Sequence, residues 1–185
     1  MEDILQHCAE NPAFACAYFF FDNRSAHSEL SLHHGLIRSL ILQLSEQCGH
    51  LPGPLVQLYG TGNHQPSIAS LQLALRSIFD CFERTYIIID ALDECTDRAK
   101  LLAWAAELFS WGKRKLHILL SSRPERDIEE RFTLAKHMVH VALEGHMVDG
   151  DIADYLDVML RTMPRWNQET YSRVKDALLG GAEGM

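Results

Sequence analysis

The chain carries little that would suit it to a polyanion or a membrane. Lysine and arginine number 17 against 25 aspartates and glutamates, for a formal net charge of −8. The basic face that a nucleic-acid footprint needs is missing. No run approaches the roughly 20 apolar residues that cross a bilayer; the longest, Phe14 to Phe21, has the length of a strand. Met1 is followed at once by Glu2 and Asp3, unlike a signal peptide. The five cysteines (Cys8, Cys16, Cys48, Cys81, Cys95) are odd in number and form no Cys-x-x-Cys pair. They read as reduced core thiols of an intracellular protein, not as disulfides or metal ligands. Internal repeats and low-complexity tracts are also missing.

What is present is the material of a globular domain. A length of 185 residues with 47% hydrophobic and 23% charged content allows one ordinary core and the start of a second. The apolar run Phe14 to Phe21 predicts a strand buried on both faces. Leu32, Leu36, Ile37, Leu40, Ile41 and Leu44 keep a helical period that ends near Gly49, and a short helix is expected around Leu55 to Tyr59. Ser67 can cap a helix striped by Ile68, Leu71, Leu75, Ile78, Phe79 and Phe82. Tyr86 to Ile89 predicts a second strand, Leu101 to Phe109 a helix, Leu116 to Leu120 a third strand, and Glu125 to Arg131 a short charged helix. His137 to Leu143 reads as a fourth strand.

Beyond Gly145 the pattern is helical only, dividing an α/β core at residues 1–144 from the start of a helical region at residues 145–185. Glu2 to Cys8 resembles the tail of an amphipathic helix, and Gly180 to Met185 a helix giving way to a turn, so both ends are expected to be cuts from a longer chain. Strands alternating with helices predict βαβ units and a parallel sheet, whose ligands sit at the carboxyl ends of the strands.

Two strand ends carry unusual polar clusters. Asp90-Ala91-Leu92-Asp93-Glu94 follows a stiff apolar strand, which is the Walker B arrangement: the aspartate is held where it can coordinate Mg²⁺, and acidic residues beyond it can orient and deprotonate water. The alternative is an aspartate that only caps the next helix. Three carboxylates within five residues repel one another unless a cation or basic group is near. Two residues separate Asp90 from Asp93, not one as in phosphatases of the haloacid-dehalogenase type, and Ala91 stands where helicases of the DEAD type have glutamate. The second cluster, Ser121-Ser122-Arg123-Pro124-Glu125-Arg126, places an arginine at a strand tip, able to reach a terminal phosphoryl group. It could instead pair with Glu94 or Asp90 for structural reasons.

Together, Tyr86 to Cys95 and Ile118 to Ile128 closely resemble NACHT-type signalling NTPases of the STAND class. More narrowly they resemble the nephrocystin-3-like N-terminal domain of fungal proteins that carry ankyrin, WD-type or similar repeats. The strand Ala17 to Asp22, the helix segment Gly35 to Leu40 and the terminal Ala182 to Met185 fit as well, so the resemblance spans essentially the whole chain. It implies a three-layer αβα P-loop NTPase fold followed by a helical subdomain. It also implies a cytoplasmic switch that takes ATP or GTP with Mg²⁺ and works through protein partners or self-assembly. Carried over, Asp90 is the Mg²⁺ carboxylate, Asp93 and Glu94 position or activate water with Glu94 as general base, and Arg123 senses the γ-phosphate. Family members place the arginine-bearing strand between the phosphate-loop strand and the Walker B strand. One departure stands out: no Gly-x-x-x-x-Gly-Lys-Ser/Thr occurs in these residues. In the family that loop lies shortly upstream of the helix represented here by Glu2 to Cys8. A non-catalytic interaction module that keeps the fold is the alternative.

The remaining signals are weaker. His27, His33 and His34 lack the carboxylate or cysteine company of a metal site and suggest a solvated helix start. His117 reads as a hydrogen-bonded core residue, Lys113-Arg114-Lys115 as a solvated turn, and Trp104 and Trp111 as core packing.

Overall fold

The computed structural model of the chain describes residues 1–22, 32–50, 52–59, 65–111, 115–133, 138–142, 145–163 and 167–181. They form two compact units, Met1–Lys136 and His137–Met185. In the first, α1 (Glu2–Ala9) leads into β1 (Phe14–Phe20), then α2 (His33–Gln47), α3 (Gly53–Tyr59), α4 (Ile68–Phe79) and β2 (Arg84–Asp90). After β2 come α5 (Arg98–Trp111), β3 (Leu116–Leu120) and α6 (Arg126–Thr133). The strands make one parallel sheet in the order β1-β2-β3. The fold is mixed α/β, with a layout consistent with helices on both faces of the sheet. The second unit contains α7 (Gly145–Arg161) and α8 (Gln168–Gly181), joined where Asp157 accepts from the Tyr171 hydroxyl at 2.7 Å and pairs with Lys175 at 2.6 Å.

Register explains the core. Ala15, Ala17 and Phe19 lie beside Thr85, Ile87 and Ile89 on one face, all buried. The apolar stripes of α2, α4 and α5 are buried with them, including Leu36, Leu40, Leu44, Leu75, Ile78, Leu101 and Leu108. Ser67 caps α4 as its sequence suggests, accepting from the Ser70 amide at 3.1 Å. The opposite face presents Phe14, Cys16, Tyr86 and Ile88 to Ile4 and Cys8 of α1. Eight residues of helix reach about 12 Å, whereas a seven-residue strand runs about 23 Å. The far end of that face is accordingly open, with Tyr18 37% and Phe20 43% exposed. The expectation of a strand buried on both faces therefore holds only for the first half of β1.

The outer edge of β1 is closed by side chains. Gln47 accepts from the Cys16 amide at 3.0 Å and donates to the Cys16 carbonyl at 2.8 Å, and Gln43 does the same for Tyr18 at 3.0 and 2.8 Å. Four residues of helix rise about 6 Å and two of strand about 6.6 Å. Two glutamines one turn apart thus match alternate strand residues, supplying the hydrogen bonds a fourth strand would make.

The fourth strand expected over His137 to Leu143 is not found: residues 138–142 form no strand, and Val139 and Val141 are 86% and 73% exposed. The valines there satisfy a pattern, but strand propensity is expressed only against a pairing neighbour. No strand pairs with them, or with the outer edge of β3, among the described residues.

Candidate functional site

Parallel pairing of β2 and β3 sets Ile89 beside Leu120, so the two polar clusters leave the sheet side by side at its carboxyl end. The Ser121 amide donates to the Ile89 carbonyl at 3.0 Å, and the Leu92 amide donates to the Ser121 carbonyl at 3.0 Å. Between these bonds the Ser121 hydroxyl donates to the Asp90 carboxylate and accepts from the Ala91 amide at 3.2 Å. Asp90 is thereby held at the tip of β2 with one carboxylate oxygen spoken for. Ala91 turns the chain through the left-handed region (φ 56°, ψ 51°), the one non-glycine position among the described residues with positive φ. That turn starts a single 3₁₀ turn at Leu92–Glu94, in which the Glu94 amide donates to the Ala91 carbonyl at 3.0 Å. Leu92 anchors it in the core, 1% exposed.

Asp93 faces the other tip. Its carboxylate accepts from the Arg123 amide at 3.1 Å and pairs with the Arg123 guanidinium at 3.7 Å. Its carbonyl accepts from Arg98 at 2.7 Å, while the same arginine pairs with Asp127 at 3.1 Å and Glu125 at 3.5 Å. Arg98 thus ties the acidic turn to the start of α6. Burial works to lower its pKa, but the hydrogen bonds and charges of Asp127 and Glu125 together outweigh it and raise the pKa.

Of the four residues singled out in the sequence, Asp90, Asp93 and Arg123 are joined through the paired strand tips, and Glu94 sits on the same turn. Arg123 does pair with a carboxylate, that of Asp93. Three contributors were not singled out. Ser121 was legible in principle, because parallel register sets the residue after β3 beside Asp90. Ala91 and Arg98 gave no such signal, since neither a left-handed alanine nor an arginine four residues past Glu94 is distinctive by type.

No group of three or more histidines, cysteines, aspartates or glutamates among the described residues is placed to hold a metal by itself. Mg²⁺ does not require one: it keeps several waters and takes one or two carboxylates plus substrate phosphates, a share that Asp90 fits.

The geometry defines an α/β domain with an acidic turn and an arginine loop at the carboxyl end of adjacent parallel strands. The family model described as nephrocystin 3, N-terminal, matches residues 1–123, more than half of the chain and the whole of the Asp90–Arg123 site. The chain belongs to that family. No curated protein and no solved structure matches it.

Away from the site, all five cysteines are free, and burial pushes Cys16 and Cys95 up to about 11. Cys48 is pushed up to about 12 by burial and by its hydrogen bond with Cys81. His33 is not solvated but 2% exposed, 5.5 Å from the Trp104 ring, because the helix start it occupies packs on α5. Trp104 is core, as its spacing suggests, whereas His117 is exposed and stacks on Tyr86 at 4.9 Å. β3 buries neither face fully, so His117 stays at the surface. His27, Lys113, Arg114 and the terminal 182–185 lie outside the described residues. None of the described helices is long and apolar enough to cross a membrane.

Proposed function

We propose that these residues supply the Mg²⁺ and γ-phosphate half of a nucleotide site in a NACHT-type signalling NTPase, a cytoplasmic switch working through ATP or GTP and protein partners. The observation that carries this reading is the union of Asp90, Asp93 and Arg123 across two adjacent parallel strand tips. The strand order adds support. The arginine-bearing β3 lies beside the acidic β2, and its other edge pairs with no strand among the described residues, where the family's phosphate-loop strand would lie. In this reading Asp90 contributes a carboxylate to Mg²⁺, which when bound neutralises charge on the phosphates. Glu94 takes a proton from the attacking water, Asp93 helps position that water, and Arg123 reaches the terminal phosphate.

With no Gly-x-x-x-x-Gly-Lys-Ser/Thr among them, these 185 residues alone are expected to bind ATP or GTP negligibly. Micromolar affinity in a calorimetric titration would contradict that. The catalytic assignment is tested in the longest reading frame that contains these residues. There Glu94→Gln should slow hydrolysis by about 10²- to 10⁴-fold while nucleotide still binds, and an unchanged rate removes Glu94 as the base.

A second reading is favoured by one contact. Arg123 pairs with Asp93, as it would in an interaction module that keeps the fold without nucleotide. In that case the longer protein binds no nucleotide, and Asp93→Asn affects stability alone.

A further inference from the structure

Asp93 and Arg123 are unequal partners. Asp93 is the fixed one: its side chain is 11% exposed, its carbonyl is held by Arg98 at 2.7 Å, and one carboxylate oxygen anchors the Arg123 amide at 3.1 Å. Arg98 is itself braced by Asp127 and Glu125. The Arg123 side chain is the loose one, 65% exposed, with its Nε 3.7 Å from the second carboxylate oxygen. That distance is an ion pair and too long for a hydrogen bond. The guanidinium can therefore leave while the amide bond to Asp93 keeps the loop in place.

We propose that Asp93 is an internal counter-anion that parks the Arg123 guanidinium until a polyphosphate displaces it, so that the site carries its own competitor. The nature of the displacing ligand rests on the nucleotide reading above. A phosphate group offers the planar guanidinium two charged oxygens and a bidentate hydrogen-bonded fit that the 3.7 Å pair lacks. The parked pair costs the ligand affinity, because only the released fraction of Arg123 is competent to bind. An exposed ion pair of this kind lowers that fraction by roughly two- to five-fold. Asp93 then sets a threshold for the ligand and takes no part in activating water.

Because the 185 residues lack a phosphate loop and bind polyphosphate more weakly than micromolar, the test titrates them with tripolyphosphate in the millimolar range, without metal, and follows the Arg123 Nε signal by NMR. Asp93→Asn retains an Oδ1 acceptor for the Arg123 amide, whose exchange protection reports that the loop is kept. It should lower the half-saturating concentration by roughly two- to five-fold. Arg123→Gln should abolish the response of the neighbouring amides. Glu125→Gln also removes one carboxylate charge, from the neighbouring loop after β3 where it pairs with Arg98, and should have less effect. An unchanged or weaker affinity in Asp93→Asn overturns the proposal. So does an equal gain in Glu125→Gln, which would mean general electrostatics, or no Arg123 response in any of the proteins. Failure of the nucleotide reading is separate: the longer protein would bind no nucleotide even if Asp93→Asn strengthens tripolyphosphate binding here.

Discussion

Two aspartates three residues apart end with different partners. Asp90 meets the Ser121 hydroxyl at the tip of β2, and Asp93 meets both the amide and the guanidinium of Arg123. What separates them is Ala91, whose left-handed backbone reverses the chain between the two carboxylates. Alanine adopts that conformation at a cost of about 1 kcal/mol that glycine avoids. Ala91→Gly should therefore leave stability unchanged or raise it by up to about 1 kcal/mol in urea unfolding, and Ala91→Val should lower it. A second prediction concerns His33, whose burial holds its pKa down to about 4 from 6.5. Below about pH 6.5 the unfolded chain binds a proton that the folded chain refuses, so stability falls as pH drops through this window. Between about pH 7.5 and about pH 5 the loss should be roughly 2 kcal/mol. Replacing His33 with phenylalanine should remove that portion of the slope in paired urea titrations at the two pH values. The carboxylates and Arg123 were legible because their types and positions after apolar runs are distinctive. His33 was not, because neither its type nor its place at a helix start tells whether α5 will cover it.

At the scale of elements, the sheet's first edge is finished by a helix. Gln43 and Gln47 occupy the backbone groups of Tyr18 and Cys16, and the second pair is the more buried. Leucine at position 47 would leave a partly buried amide and carbonyl without partners, costing about 1–3 kcal/mol, and leucine at 43 less. Urea midpoints of the two variants check the order; equal small effects would mean that water replaces both glutamines. β1, β2 and the helices α2, α4 and α5 could be read from periodicity, since each buries a stripe or a run. The failed fourth strand shows the limit of that reading. Two exposed valines at 139 and 141 carry the right pattern, yet pattern does not supply a neighbouring strand. Likewise the glutamine closure depends on a match between helix and strand rise that no single segment displays.

For the molecule as a whole, family membership and fold rest on residues 1–123 and the parallel sheet, while activity rests on what Asp90 does. The central claim is that this strand tip serves Mg²⁺ and a nucleotide. The most direct measurement is ATP and GTP binding with and without Mg²⁺, by calorimetry, on the longest reading frame containing these residues, beside its Asp90→Asn variant. The account predicts that Mg²⁺ strengthens binding in the parent protein and no longer does so in the variant. Nucleotide binding with the same Mg²⁺ response in both proteins would contradict it.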